Sequence, residues 1–158
     1  MIENCLSILE DSLKKKIEVL KRIHAANEIQ TTILKKDPVD LEAFDKIVDE
    51  KDLYIEELTS LDDGFETLYE KVRQELNGNR SKYAEQIKRM QGLITDITDR
   101  SVAVQAQEAR NKALVENCFK MERQNLGQSR KNSKAAYGYY QNMSNKNVPQ
   151  SHFMDQKK

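Results

Sequence analysis

Residues 41–76 read LEAFDKIVDEKDLYIEELTSLDDGFETLYEKVRQEL. At seven-residue spacing Ile47, Tyr54, Leu61 and Leu68 align. A second column is Leu41, Val48, Ile55, Tyr69 and Leu76, interrupted by Asp62. A third is Phe44, Leu58, Phe65 and Val72, interrupted by Lys51. Three apolar columns in one heptad make a stripe wide enough to touch more than one partner helix. The alternation of a half-buried strand is absent. Gly64, beside Asp62 and Asp63, leaves two readings: a continuous helix, or a break restarted by an aspartate cap. All three columns keep phase across it, which favours the continuous one.

The flanks repeat the pattern. Residues 2–36 hold neither Gly nor Pro, and Ile2, Leu6, Leu9, Leu13, Ile17, Leu20, Ile23, Ile29 and Ile33 recur between lysines and glutamates. That spacing predicts a first amphipathic helix. It stops at Lys35-Lys36-Asp37-Pro38, where two cations suit a helix C-terminus and Pro38 can open the next helix. Asn77-Gly78-Asn79 ends the second helix, and Asn79 or Ser81 can cap a third. The third is predicted from about 81 to 126. Tyr83, Ile87, Met90, Leu93, Ile94 and Ile97 form its seam. Further on, Ser101, Gln107, Glu108 and Asn111 fall where apolar residues belong, with Val104 among them. Ala103, Ala106, Ala109 and Ala113 keep helix propensity high there. Apolar character returns at Leu114, Val115, Cys118, Phe119 and Met121 before Gly127.

Composition limits what these helices can build. Of 158 residues, 38% are hydrophobic and 33% charged, with no Trp and a mean hydropathy of -0.79. So little apolar mass cannot fill a thick core, but it can fill a narrow seam between helices. Helices of roughly 50, 58 and 69 Å exceed the diameter of about 40 Å of a compact sphere of this chain length. The expected fold is therefore all-α: an elongated antiparallel bundle or coiled coil of three long helices, the third overhanging the other two. Residues 1–127 form the long-helix bundle. Residues 128–158 form a basic, tyrosine-containing segment, partly helical over 129–143, with a loose end. Net charge is zero overall but +2 over 1–36, -10 over 37–76, +3 over 77–127 and +5 over 128–158. The acidic second helix either packs between its basic neighbours or presents a solvated face.

Little chemistry is visible. No run of about 18 apolar residues exists to span a membrane, and Met1-Ile2-Glu3-Asn4-Cys5 does not open a secretory signal. Both point to a cytoplasmic chain without membrane insertion. Cys5 and Cys118 are too far apart for a zinc pair and read as small apolar side chains in a reducing compartment. His24 and His152 lack partners at ligand or triad spacing. Asp62-Asp63-Gly64 lacks the alternating acids of a calcium loop, and no Gly-rich phosphate loop occurs. The expectation is no enzyme, no cofactor and no metal. Arg130, Lys131 and Lys134 among tyrosines make a weak cationic patch, and the acidic helix would repel nucleic acid.

Leu6 to Leu20, the Lys35-Lys36-Asp37-Pro38 break, Ile47-Val48-Asp49-Glu50-Lys51, Tyr54-Ile55-Glu56-Glu57-Leu58 and Leu61-Asp62-Asp63 together resemble the FlgN-like family of flagellar export chaperones. The likeness covers most of residues 1–125 as hydrophobic spacing and charge habit. Ala135-Ala136-Tyr137 to Met143 resembles the ends of versions from Gram-positive anaerobes. The resemblance implies a cytosolic chaperone that binds the C-terminal helical region of hook–filament junction (hook-associated) proteins. It would prevent premature assembly and deliver them to the flagellar export gate or its ATPase complex. The expected client-binding residues are the overhanging Leu114, Val115, Cys118, Phe119, Met121 and Leu126, with Ala136, Tyr137, Tyr139, Tyr140 and Met143 folding onto the client. The alternative is a homo-oligomeric structural coiled coil that closes the same end on a copy of itself.

Overall fold

The computed structural model describes residues 2–125, with side chains given up to Lys120 except that of Phe119. It consists of three helices: α1 (Ile2–Lys35), α2 (Leu41–Gly78) and α3 (Ala84–Asn125). At about 1.5 Å per residue they run roughly 51, 57 and 63 Å. Among the described residues there is no strand, and the all-α bundle is the fold. The expected short C-terminal helix and the 128–158 segment lie outside the described residues.

Cross-helix pairs set the directions. Lys16 meets Asp62 and Lys51 meets Gln30, so α1 and α2 are antiparallel. Arg89 meets Glu10 and Asn111 meets Gln30, so α3 runs parallel to α1. α1 packs along both other helices and is the spine of the bundle. Its Leu6, Leu9 and Ile23 are wholly buried, against Phe44, Val48, Ile55, Leu58, Phe65, Tyr69, Val72 and Leu76 of α2 and Met90, Ile94 and Ile97 of α3 in one apolar core. Phe65 and Tyr69 stack with ring centroids 6.1 Å apart.

Local chemistry explains the boundaries, with three departures from the sequence pattern. α2 starts at Leu41 rather than at Pro38, because the Asp40 carboxylate accepts from the Ala43 N–H at 3.1 Å and caps the first turn. Asn79 closes α2 instead of opening α3: its N–H donates to the Leu76 carbonyl and its side-chain amide to the Glu75 carbonyl. A turn over residues 79–83 follows, so α3 begins at Ala84, with Tyr83 already buried. Gly64 lies inside a continuous α2. The third departure is Ile29, expected in the seam but 52% exposed. Six residues from Ile23 to Ile29 turn the helix by about 240°, off the buried face. The inward positions in that stretch are Ala26, Asn27, Gln30 and Leu34, with Ile33 partly buried beside them.

The acids of α2 mostly occupy its outer side: Glu42, Asp49, Glu50, Glu56, Glu57, Glu66 and Glu70 are exposed. The Asp62 carboxylate reaches across to Lys16 of α1 in a direct ion pair. The acidic segment therefore presents a largely solvated face.

Candidate functional site: the free end of α3 and a buried polar layer

The pairing register of α1 with α3 is read from Asn27–Gln107, Thr31–Asn111 and Gln30–Asn111, each joining residues 80 or 81 apart in sequence. In that register Lys35, the last residue of α1, lies level with about residue 116. α3 continues to Asn125, so its backbone runs on for about two and a half turns, roughly 13 Å, past the end of α1. The overhang begins later than the apolar run suggested. Val115 is 2% exposed and belongs to the core cluster, and Leu114 is partly buried against it. The expectation of an uncovered apolar stretch thus fails at these two positions, because they are still level with the α1–α2 hairpin. Cys118 is half-buried, as is Cys5 near the other end of the bundle. Phe119 and Met121 lie on the last turns of α3, but their side chains, with Leu126, Ala136, Tyr137, Tyr139, Tyr140 and Met143, fall outside what the structure describes.

Midway between the overhang and the apolar half of the bundle, all three helices turn polar residues inward at one level. Gln30 of α1 is the hub. Its Oε1 accepts from Lys51 Nζ of α2 at 2.9 Å and from Asn111 Nδ2 of α3 at 3.1 Å. Asn111 also donates to the Asn27 carbonyl and accepts from the Thr31 hydroxyl at 2.6 Å. Asn27 Nδ2 donates to Gln107 Oε1, and Gln107 Nε2 donates to the His24 carbonyl. The Lys51 ammonium pairs with the Glu108 carboxylate at 2.5 Å. Lys51, Asn27, Gln30 and Asn111 are wholly buried.

The electrostatics follow from that burial. Loss of water pushes the Lys51 pKa down, while the facing Glu108 carboxylate works the other way. Burial pushes the Glu108 pKa up, opposed by Lys51 and by the Asn27 amide. Each charge is tolerable because the other is beside it. His24 stays near the surface, 4.0 Å from Glu28.

Four of these layer members are visible in the sequence as breaks in pattern. Lys51 interrupts the column of Phe44 and Leu58, and Gln107, Glu108 and Asn111 interrupt the seam of α3. Asp62, the other interruption, finds Lys16 at 2.5 Å. Asn27, Gln30 and Thr31 are not singled out by the sequence; the six-residue step from Ile23 to Ile29 in α1 is the available signal.

Among the described residues, no group of three or more His, Cys, Asp or Glu could hold a metal ion. None of their helices is long and apolar enough to cross a membrane. Comparison with known proteins finds no family model, no curated protein and no solved structure that matches the chain.

Proposed function

We propose that this protein is a cytoplasmic export chaperone for amphipathic helical clients. Its clients would be the C-terminal helical regions of flagellar hook–filament junction proteins, which it would shield from premature assembly and hand to the export gate or its ATPase complex. The resemblance of residues 1–125 to the FlgN-like family motivates the reading. The observation that carries it is the α3 backbone extending about two and a half turns past α1. Beyond the end of α1, this stretch of α3 offers a continuation of the seam to a helix from another chain, through anchors at i, i+3 and i+4. The client-contact set is accordingly the end of α3 from Cys118 onward, including Phe119, Met121 and Leu126, with Ala136, Tyr137, Tyr139, Tyr140 and Met143 beyond it. Val115 and Leu114 serve the core that holds this end in place.

Handing a client on requires release, so affinity is expected on the micromolar scale. Calorimetric titration with C-terminal peptides of the junction proteins tests this, and absence of binding at about 100 µM overturns it. Phe119→Asp, or Tyr137→Ala with Tyr140→Ala, is expected to weaken binding while the circular dichroism of the helices is unchanged. A dilution-resistant dimer or tetramer in light scattering that takes no client peptide would instead identify a structural coiled coil.

A further inference from the structure

We propose that the part of α3 from Val104 onward is a latch: it opens from the α1–α2 hairpin as a unit while the rest of the bundle stays folded. The groove it uncovers then accepts a partner's amphipathic helix. The two halves of α3 are held by different means. The first buries Met90, Ile94 and Ile97, continues the packing begun by Tyr83, and adds Ile87 and Leu93 at the edges. Among the described residues, the second buries Val104 and Val115 as apolar anchors, with Leu114 at the edge, and between the two valines it places Gln107, Glu108 and Asn111. Apolar burial is a net gain, whereas hydrogen bonds and a buried ion pair largely exchange for equivalent contacts with water on opening. The second half is therefore the low-stability end of the helix, the kind of segment that opens locally.

A further feature suits a latch. Ala103, Ala106, Ala109 and Ala113 keep the segment strongly helix-forming when it detaches. The uncovered groove is set by Ile23, Ala26, Leu34, Phe44 and Val48, with Lys51, Asn27 and Gln30 in its floor. Its complement is the chemistry of the latch itself: a helix with apolar anchors that brings a carboxylate to Lys51 and an amide three residues later, as Glu108 and Asn111 do. A purely apolar helix would strand the Lys51 ammonium and be rejected. This acceptance of a client helix rests on the export-chaperone reading; the opening does not.

The test uses the full chain with Cys5→Ser and Cys118→Ser, carrying Val115→Cys or Ile94→Cys, and measures labelling by a thiol reagent under native conditions. Val115→Cys is expected to react at least 10-fold faster than Ile94→Cys. Adding Lys51→Met with Glu108→Leu, which replaces the polar hold by apolar packing, is expected to slow Val115→Cys by 10-fold or more and leave the ratio for Ile94→Cys near one. Equal rates at the two positions, both tracking global unfolding, would overturn the latch. Should either cysteine variant fail to fold, hydrogen exchange of the unsubstituted chain decides: residues 104–118 must exchange through a lower-energy opening than 84–97, and uniform protection overturns the proposal. Junction-protein peptides are expected to bind the apolar double variant at least 10-fold more weakly. Equal binding overturns the groove, while absence of binding to both proteins overturns the chaperone reading and leaves the labelling contrast standing.

Discussion

The half of the bundle built on Leu6, Leu9, Met90 and Ile94 and the half built on Gln30, Lys51, Glu108 and Asn111 use the same helices but hold them in opposite ways. In the first, apolar side chains repeat every heptad, so burial is strong but nearly indifferent to a slide of seven residues. In the second, a slide by one heptad would set Lys51 and Glu108 against apolar neighbours, each charge unpaired. The apolar half supplies adhesion, and the polar half supplies alignment. Polar groups inside a coiled coil serve register at a cost in stability, and here all three helices contribute to one such layer.

The largest blow to this contrast is to break the polar layer from one side. Lys51→Met alone, or Glu108→Leu alone, is expected to lose roughly 3–5 kcal/mol by urea unfolding, because a buried charge is left unpaired. The two changes together are expected to be neutral or stabilising by up to about 4 kcal/mol, at the expense of a single register. A double variant as damaged as either single one would mean the pair contributes adhesion after all. Ile94→Ala, in the apolar half, is expected to lose about 2–5 kcal/mol with the register intact, from lost burial and the cavity left behind. Asn111→Ala should cost about 1–3 kcal/mol by removing the buried hydrogen bonds to Gln30, Thr31 and the Asn27 carbonyl. Asp62→Ala removes a partly exposed pair with Lys16 and should cost no more than about 1 kcal/mol.

The smallest effect is one of pH. Burial tends to raise the Glu10 pKa, but Lys14 and Arg89 together outweigh it and hold the carboxyl below its ordinary 4.5. A lowered folded-state pKa means the unfolded chain binds the proton more readily. The stabilisation is present above pH 4.5 and is lost as pH falls through the folded value. Glu10→Gln should therefore flatten the acid limb of a stability–pH curve while leaving the Lys51–Glu108 contrast untouched. An unchanged acid limb would show that this partly exposed cluster is fully screened.

Much of the molecule was legible before any tertiary contact was known. Three helices, their order, the continuity of α2 through Gly64 and the breaks near residues 36–40 and 79–83 follow from side-chain period, glycine, proline and capping residues, all of which act within one or two turns. The candidate site was legible only as absences: Lys51 and Asp62 spoiling two columns, Gln107, Glu108 and Asn111 thinning a third. That these absences meet one another was decided by tertiary structure alone, as was the outward turn of Ile29 and the inward turn of Gln30. The reason is range. Helix formation is settled by neighbours a few residues away, whereas the partner of a buried amide lies some 80 residues off in the chain, and only the packed register brings the two within 3 Å or so.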